Sequence, residues 1–110
     1  MKISFSERTL KKVANEDRKL FKEYGQKRGK LIKKRLDALA AADNLEELRN
    51  APGHFHELKE NRKGQWACDL DQPYRLIFVP HEEPIPTDED GKYILIEIKG
   101  VDVTEITDYH

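Results

Sequence analysis

Residues 54–79 read HFHELKENRKGQWACDLDQPYRLIFV and contain the clearest strand pattern in the chain. Three short runs in this stretch each contain an aromatic residue and alternate in pattern, namely 54–59, 65–70 and 74–79, and the last is also rich in β-branched residues. The residues between the runs are polar and include glycine or proline, which is typical of hairpin turns. We therefore predict an antiparallel meander in this part of the chain.

Alternation along these runs assigns side chains to the two faces of the sheet, because successive residues of a strand point in opposite directions. The larger apolar side chains share one face within each run: Trp66, Cys68 and Leu70, then Tyr74, Leu76 and Phe78, and in a later run Ile94, Ile96 and Ile98. Arg75 falls on the opposite face, with Ile77 and Val79. A guanidinium in that position indicates a concave, partly solvated surface suited to an anionic ligand.

The flanking segments add further strands. We expect a short strand at 3–5, another at 93–99 and a weaker one at 101–109. Residues 80–92 are rich in proline and acidic side chains, so we predict a solvated excursion there rather than core.

Two helices are expected before the meander. Ser6 is a plausible N-cap of the first helix, whose apolar residues follow at helical spacing. The second helix is expected to end near residue 42. Gly25 and Gly29 each weaken it by about 1 kcal/mol relative to alanine, so it could begin near residue 26 instead. Helices followed by an antiparallel meander predict an α+β fold, with two N-terminal helices packed on a small, mainly antiparallel twisted sheet.

Length and composition are those of one globular domain, residues 1–110, with 37% charged and 37% hydrophobic residues. No apolar run approaches the roughly 18 residues that a membrane span needs, and the first residues lack the apolar stretch of a secretory signal. Cys68 is the only cysteine, which favours a reducing compartment. We therefore expect a cytoplasmic protein that does not associate with membranes.

Charge is distributed unevenly along the chain, although the total is only −1. Residues 1–36 contain 13 Lys/Arg and 4 Asp/Glu, a net charge of +9. Residues 65–110 contain 3 Lys/Arg and 11 Asp/Glu, a net charge of −8. Such a separation creates a basic surface that attracts phosphate, although helical lysines on a solvated face would produce the same pattern.

The polar residues near the meander and at the chain end indicate a chemistry. RNA is cleaved without a metal when its own 2′-hydroxyl attacks the phosphate, which requires proton transfer and stabilisation of charge. Histidine suits the proton transfers, and lysine and arginine suit the phosphate. The residues that would supply these functions are His56, Lys59, Arg75, Asp108, Tyr109 and His110. We expect no metal and no cofactor.

Each of these residues also has a structural interpretation. His56 would otherwise be a half-buried strand histidine, and strict alternation places Lys59 on the opposite face unless the strand ends near Leu58. His54 and His56 have the spacing of two metal ligands on one strand, but no third residue completes a typical site. Trp66 fits the core or a base-stacking platform, and Arg62 and Lys63 fit either solvated turn charges or RNA contacts.

Residues 56–66, HELKENRKGQW, resemble the signature H-x-L-K-x-x-R-x-G-x-W of the HigB-like killer proteins, toxins of bacterial toxin–antitoxin pairs in the RelE/ParE superfamily. Tyr74–Phe78 and Asp108–His110 resemble the two other signatures of that family. The three motifs occur in the expected order, and similarity extends over nearly the whole chain.

The resemblance implies a metal-independent endoribonuclease that cleaves messenger RNA, typically on the translating ribosome. It implies that His56 and His110 transfer protons. Lys59 and Arg75 would bind the phosphate. Tyr109 would position the substrate, and Asp108 would orient a neighbouring side chain. RNA contacts are expected from Arg62, Lys63 and Trp66. The implied partner is a helix-turn-helix antitoxin. The toxin would contact DNA only indirectly, through this antitoxin.

Two features depart from the family pattern. Relatives are usually basic, whereas this chain is slightly acidic because of the excursion at 80–92; we expect that excursion to lie away from the RNA. Glu57 stands where many relatives have proline. Two other functions remain open: a ParE-like toxin that poisons DNA gyrase by binding it, and an inactive module that only binds an antitoxin.

Overall fold

A computed structural model gives the fold of residues 1–108, the part of the chain that the structure describes. The strands are β1 (Lys2–Phe5), β2 (His56–Glu57), β3 (Trp66–Asp69), β4 (Tyr74–Pro80) and β5 (Gly100–Asp108). The helices are α1 (Arg8–Val13) and α2 (Asp17–Ala41), with short 3-10 helices at Leu45–Leu48, Glu60–Arg62 and Leu95–Glu97.

The strands form one five-stranded sheet in the order β1-β5-β4-β3-β2. β1 runs parallel to β5, and the other neighbouring pairs are antiparallel. The register of β4 and β5 shifts between Ile77 and Phe78, as at a β-bulge. The predicted α+β fold, with helices packed on a mainly antiparallel sheet, is confirmed.

The first helix begins differently from the prediction. Glu7, not Ser6, is the N-cap of α1, and its carboxylate accepts hydrogen bonds from the backbone N–H groups of Thr9 and Leu10. Ser6 cannot serve as the cap because its hydroxyl donates to the Asp102 carboxylate on β5. The predicted cap was therefore wrong by one residue, since a contact between distant parts of the chain engages the serine.

The second helix turns back on itself at Gly25, whose φ of +83° is outside the helical range. Phe21 then packs against Gly29, where a Cβ atom would lie only 2.6 Å from the phenylalanine ring. Lys33 forms an ion pair with Asp17 at 2.7 Å across the same turn. α2 is thus two antiparallel arms, and the alternative start near residue 26 corresponds to the second arm.

The predicted strand at 93–99 is wrong. Its centre forms the 3-10 helix Leu95–Glu97, and Ile96 is 59% exposed. Ile98 is fully buried, and its carbonyl accepts a hydrogen bond from the backbone of Leu45, so this segment packs beside the 3-10 helix at Leu45–Leu48 instead of entering the sheet. The position between β1 and β4 is taken by β5, which the sequence predicted only weakly.

The apolar core lies between the sheet and the helices. Residues of β3 and β4 on this side include Trp66, Cys68, Leu76 and Phe78, as alternation predicted, and Leu70 just after β3 joins them. They pack with the buried leucine and isoleucine residues of α1 and α2, among them Leu10, Leu20, Ile32 and Leu39. The excursion at 80–92 is largely exposed, with Ile85 packed against the core.

Candidate functional site

The candidate site lies on the sheet face that the helices leave uncovered, which we call the open face. Cross-strand pairing places two rows of side chains there, because residues paired directly across strands point to the same side. One row is His56, Ala67, Ile77 and Glu105, and the other is Asp69, Arg75 and Thr107. Alternation correctly predicted that Arg75 lies opposite the core.

Arg75 lies beside a carboxylate on the neighbouring strand. Its Nε atom is 3.4 Å from Oδ1 of Asp69, and each side chain is 26% exposed. The other oxygen of Asp69, Oδ2, is 3.5 Å from Nδ1 of His54. One carboxylate therefore joins the guanidinium on β4 to an imidazole just before β2.

His54 in turn stacks on His56. The two ring centroids are 4.0 Å apart and the ring planes are inclined by 16°. His54 has a left-handed backbone, with φ of +55°, which departs from the extended strand expected at this position. Ring stacking and two contacts to the Asp69 carboxylate thus connect the two imidazoles with Arg75.

The hydrogen bond of His56 identifies the ring nitrogen that carries a proton. Nδ1 donates to the carbonyl oxygen of His54 at 2.7 Å. A carbonyl oxygen only accepts hydrogen bonds, so Nδ1 carries the proton, and Nε2 of the neutral ring has the free lone pair. This tautomer can accept a proton at Nε2, as a general base must.

The side chain of Arg62 makes two contacts at the same face. Its guanidinium donates to Oε1 of Gln65 at 2.9 Å and lies 3.2 Å from the Glu105 carboxylate on β5. Because Glu105 pairs with Ile77 in the strand register, the charged end of Arg62 lies on the open face rather than in a solvated turn. Arg62 thus adds a second guanidinium to the open face.

Lys59 and Lys63 are exposed near the β2–β3 connection. β2 ends at Glu57 and the backbone turns at Glu60, which has φ of +56°. The alternation that would place Lys59 opposite His56 therefore does not extend to this residue. Cooperation of Lys59 with His56 stays a prediction.

Trp66 lies on the core side of the sheet and is 4% exposed. Its ring packs near that of Phe78, with centroids 6.4 Å apart. The structure favours the core interpretation of Trp66 over an exposed platform for base stacking. Cys68 is also core, and burial raises the pKa of its thiol to about 12, which makes it a poor nucleophile.

The end of β5 lies beside the start of β4. Thr107 pairs with Arg75, and Asp108 pairs with Tyr74. Tyr109 and His110 were also expected in the site, and they lie outside the described residues. Asp108 follows Thr107 directly, but its pairing with Tyr74 places it on the sheet face opposite Arg75.

Arg35 supports the site from the helix side. Its Nε donates to the backbone carbonyl of Asp69 at 2.7 Å. It passes so close to Gly53 that a Cβ atom there would lie 2.7 Å from Nε, and Gly53 also has a positive φ of +115°. Asp69 is consequently fixed through its backbone by α2 and through its side chain by the open face.

A second ion pair fixes the turn that precedes Arg75. Arg28 donates from Nε to Oδ1 of Asp71 at 3.0 Å, and its guanidinium lies 3.6 Å above the Tyr74 ring. The hydrogen bonds from Arg28 lower the pKa of the Asp71 carboxyl below its usual value. This cluster attaches α2 to the β3–β4 hairpin that carries both Asp69 and Arg75.

Sequence reasoning missed Asp69 and Glu105, and it considered His54 only as a metal ligand. The hairpin register held the signal for Asp69, because a tight turn at 71–73 pairs it with Arg75. The contact of Arg62 with Glu105 spans 43 residues, and local sequence patterns do not predict it.

Within residues 1–108, no group of three or more histidine, cysteine or acidic side chains is arranged to hold a metal ion. None of the helices found there is long and apolar enough to cross a membrane.

The fold and site define a small α+β protein with histidines and arginines on one open sheet face, a class to which RelE-like toxins belong. A family model described as "RelE-like toxin of type II toxin-antitoxin system HigB" matches residues 3–87. The chain therefore belongs to the HigB-like toxins. The matched range includes His56, Lys59 and Arg75, and it ends before Asp108.

Solved structures show the same fold. The YoeB–YefM complex from Staphylococcus aureus contains a similar chain, with a TM-score of 0.55, 19% identity, and coverage of 100% of this chain and 97% of that one. The YoeB dimer from the same organism gives a TM-score of 0.56 at 19% identity, with the same coverage. A YoeB/ParE toxin from Agrobacterium tumefaciens gives 0.51 at 10% identity, with both chains covered completely. No curated protein sequence matches this chain.

Proposed function

We propose that this toxin is a metal-independent endoribonuclease that cleaves messenger RNA on the translating ribosome. The observation that carries the proposal is the series of contacts from His56 through His54 and Asp69 to Arg75 on the open face. His56 would serve as a base and Arg75 as a phosphate-binding cation, and the contacts between them support this assignment.

The reaction would begin at His56. Its Nε2 accepts the proton of the RNA 2′-hydroxyl, and the 2′-oxygen attacks the adjacent phosphorus. The P–O5′ bond then breaks, which leaves a 2′,3′-cyclic phosphate on one fragment and a 5′-hydroxyl on the other. His110 is the proposed acid that donates a proton to the leaving 5′-oxygen.

Arginine and lysine stabilise the negative charge that develops on the phosphorane. We assign this function first to Arg75, whose fork of N–H donors fits two phosphate oxygens. Arg62, Lys59 and Lys63 would hold neighbouring phosphates. Asp69 and Glu105 keep the two arginines oriented on the open face before RNA binds.

The remaining residues of the terminal motif would act on the substrate and its surroundings. Tyr109 positions the nucleotide at the scissile bond, and Asp108 orients a neighbouring side chain. Both assignments follow from the family motif, and the pairing of Thr107 with Arg75 supports them.

A cognate antitoxin is the proposed regulatory partner, in line with the YoeB–YefM complex among the similar structures. A small helix-turn-helix protein with an acidic segment would neutralise the cations of the open face or cover the basic helices. The toxin would reach DNA only through this partner, and both proteins would act in the cytoplasm.

Induced expression in bacteria tests the proposal. The wild-type chain should arrest growth and cut messenger RNA at codon-associated positions. Arg75→Ala and His56→Gln should lose both effects, whereas the matched controls Arg18→Ala and His81→Gln should retain them. Arrest accompanied by DNA damage and intact messenger RNA would instead identify a gyrase poison of the ParE type, and no arrest would identify an inactive antitoxin-binding module.

A further inference from the structure

Two consecutive residues just before β2 have left-handed backbone conformations. The φ angles are +115° at Gly53 and +55° at His54. Glycine adopts this region freely, whereas a residue with a side chain adopts it at a cost in free energy. Such strain persists where the surrounding structure enforces it, and it often accompanies a functional contact. The cost at His54 therefore indicates a contact that this conformation makes possible.

The residues on both sides of His54 are anchored to the rest of the fold. The Gly53 carbonyl accepts a hydrogen bond from the backbone N–H of Asp69 at 2.8 Å. The Arg35 side chain lies against the Gly53 backbone from the helix side. Phe55, which follows His54, is 4% exposed and belongs to the apolar core. His54 is thus fixed between two anchored residues, so its carbonyl and its ring have defined positions.

Both the backbone and the side chain of His54 contact His56. The His54 carbonyl accepts the hydrogen bond from Nδ1 of His56 at 2.7 Å. The two rings are stacked, with centroids 4.0 Å apart. The Asp69 carboxylate, 3.5 Å from Nδ1 of His54, restrains the His54 ring in turn. The hydrogen bond determines which nitrogen of His56 carries the proton, and the stacking fixes the plane of the His56 ring.

The hydrogen bond at Nδ1 opposes the intrinsic preference of an imidazole. A neutral histidine side chain in water favours the tautomer that is protonated at Nε2. That tautomer has no free lone pair at Nε2 and cannot accept a proton there. An acceptor at Nδ1 selects the other tautomer, as the orienting group of a catalytic histidine does.

We propose that His54 is a positioning residue. Its carbonyl holds His56 in the tautomer with Nε2 free, and its ring fixes the imidazole plane. The left-handed backbone of His54 sets the direction of the carbonyl. This proposal rests on the ribonuclease function proposed above, in which His56 is the base, and adds the residue that prepares that base. The family signature begins at His56 and assigns no role to His54.

The ¹⁵N NMR signals of the imidazole nitrogens test the tautomer without any RNA. The spectrum would be recorded at about pH 8.5, where histidine side chains are ordinarily neutral. His56 of the wild-type protein should have a protonated Nδ1 and an unprotonated Nε2. His54→Val places a β-branched residue in a conformation that it adopts poorly. We expect most of His56 in this variant to change to the tautomer protonated at Nε2.

Two further variants separate the hydrogen bond from general effects of substitution. Glu60→Val is the matched control, because Glu60 also has a left-handed backbone, with φ of +56°, and is exposed. It should leave the tautomer of His56 unchanged. His54→Asn is the conservative variant, since asparagine tolerates this backbone conformation but has no ring. It should keep His56 protonated at Nδ1.

Single-turnover cleavage of messenger RNA on translating ribosomes measures the consequence for catalysis. His54→Val should lower the maximal rate by about 10- to 100-fold, because most of His56 can no longer act as a base at Nε2. The toxin concentration that gives half the maximal rate should stay the same, since His54 acts on the base and not on RNA binding. His54→Asn should restore most of the lost rate. Thermal unfolding would show whether each variant is folded.

Several outcomes would overturn the proposal. One is a wild-type spectrum with His56 protonated at Nε2. Others are a wild-type cleavage rate in His54→Val and an equal change of tautomer in Glu60→Val. If His54→Val does not fold, loss of the Nδ1-protonated tautomer in His54→Asn would contradict the role of the carbonyl. If the tautomer responds as expected and the wild-type protein does not cleave RNA, the tautomer assignment stands and the ribonuclease proposal fails.

Discussion

The two faces of the sheet are built from alternate residues of the same strands, and they differ in the interactions that their side chains make. On the helix side, β4 contributes Leu76 and Phe78 to a continuous apolar core. On the open side, the same strand contributes Arg75, in contact with a carboxylate and partly exposed. The core face provides stability through burial, whereas the open face keeps charged groups available for a ligand.

This difference predicts that substitutions on the two faces separate stability from activity. A change on the core face should lower the free energy of unfolding, and it should affect activity only through the folded fraction. A change to a charged side chain of the open face should abolish activity while the unfolding temperature stays nearly constant, whereas Ala67 and Ile77 on that face are fully buried and contribute to stability.

The largest loss of stability is expected for Phe78→Ala, because the side chain is fully buried and packs against Phe55 and Trp66. We expect a decrease of about 3–5 kcal/mol in the free energy of unfolding, from lost burial and the cavity that remains. Urea denaturation of the purified toxin measures it. A decrease below 1 kcal/mol would show that the core face does not provide the main stability.

The complementary change is Arg75→Ala. RNA cleavage should fall by about 10²- to 10³-fold, because a donor that stabilises developing charge is removed. The unfolding temperature should change by only a few degrees, since the Arg75–Asp69 contact is partly solvated. Single-turnover assays measure the rate of RNA cleavage, and thermal unfolding measures the unfolding temperature. Large decreases in both the rate and the unfolding temperature would contradict the distinction between the two faces.

A smaller effect, on both stability and cleavage, is expected for Gly53→Ala. Gly53 lies against Arg35, which links α2 to the backbone of Asp69. The added Cβ atom would displace Arg35, and the positive φ disfavours alanine. We expect a destabilisation of about 1–2 kcal/mol together with reduced cleavage, because Asp69 loses its backbone support. Gly91→Ala is the matched control: it has a similar φ of +81° and open space around it, so its effect on cleavage should be small.

The smallest effect concerns pH and the Arg28–Asp71 ion pair. The pKa of Asp71 is lowered in the folded state, so its contribution to stability is present above the unfolded pKa of about 4. That contribution is lost as the pH falls through the folded pKa. Asp71→Asn should remove about 1 kcal/mol at pH 7 and have less effect at pH 3. Thermal unfolding at the two pH values tests this, and an equal effect at both would contradict it.

The sequence was sufficient for the features that depend on local periodicity. Alternation along β3 and β4 correctly separated Trp66 and Phe78 from Arg75, because the period of two is fixed by strand geometry. Apolar spacing and glycine positions located the helical region, and Gly25 marks the turn within α2.

Contacts between distant parts of the chain determine the features that the sequence did not predict. Residues 93–99 have strand-like composition, yet β5 occupies the position in the sheet and leaves this segment packed beside Leu45–Leu48. Ser6 has the chemistry of an N-cap but is engaged by Asp102. The contacts of Asp69 with His54 and Arg75 depend on a loop that returns beside the β3–β4 hairpin, which local patterns do not encode.

The most direct test of the open-face mechanism is the chemistry of the cut RNA. RNA from cells expressing the toxin would be sequenced separately for fragments that begin with a 5′-hydroxyl and for those that begin with a 5′-phosphate. We predict new 5′-hydroxyl ends, with 2′,3′-cyclic phosphates on the upstream fragments, and their absence with Arg75→Ala. New ends carrying 5′-phosphate and 3′-hydroxyl groups would contradict attack by the RNA 2′-hydroxyl and with it the proposed role of His56.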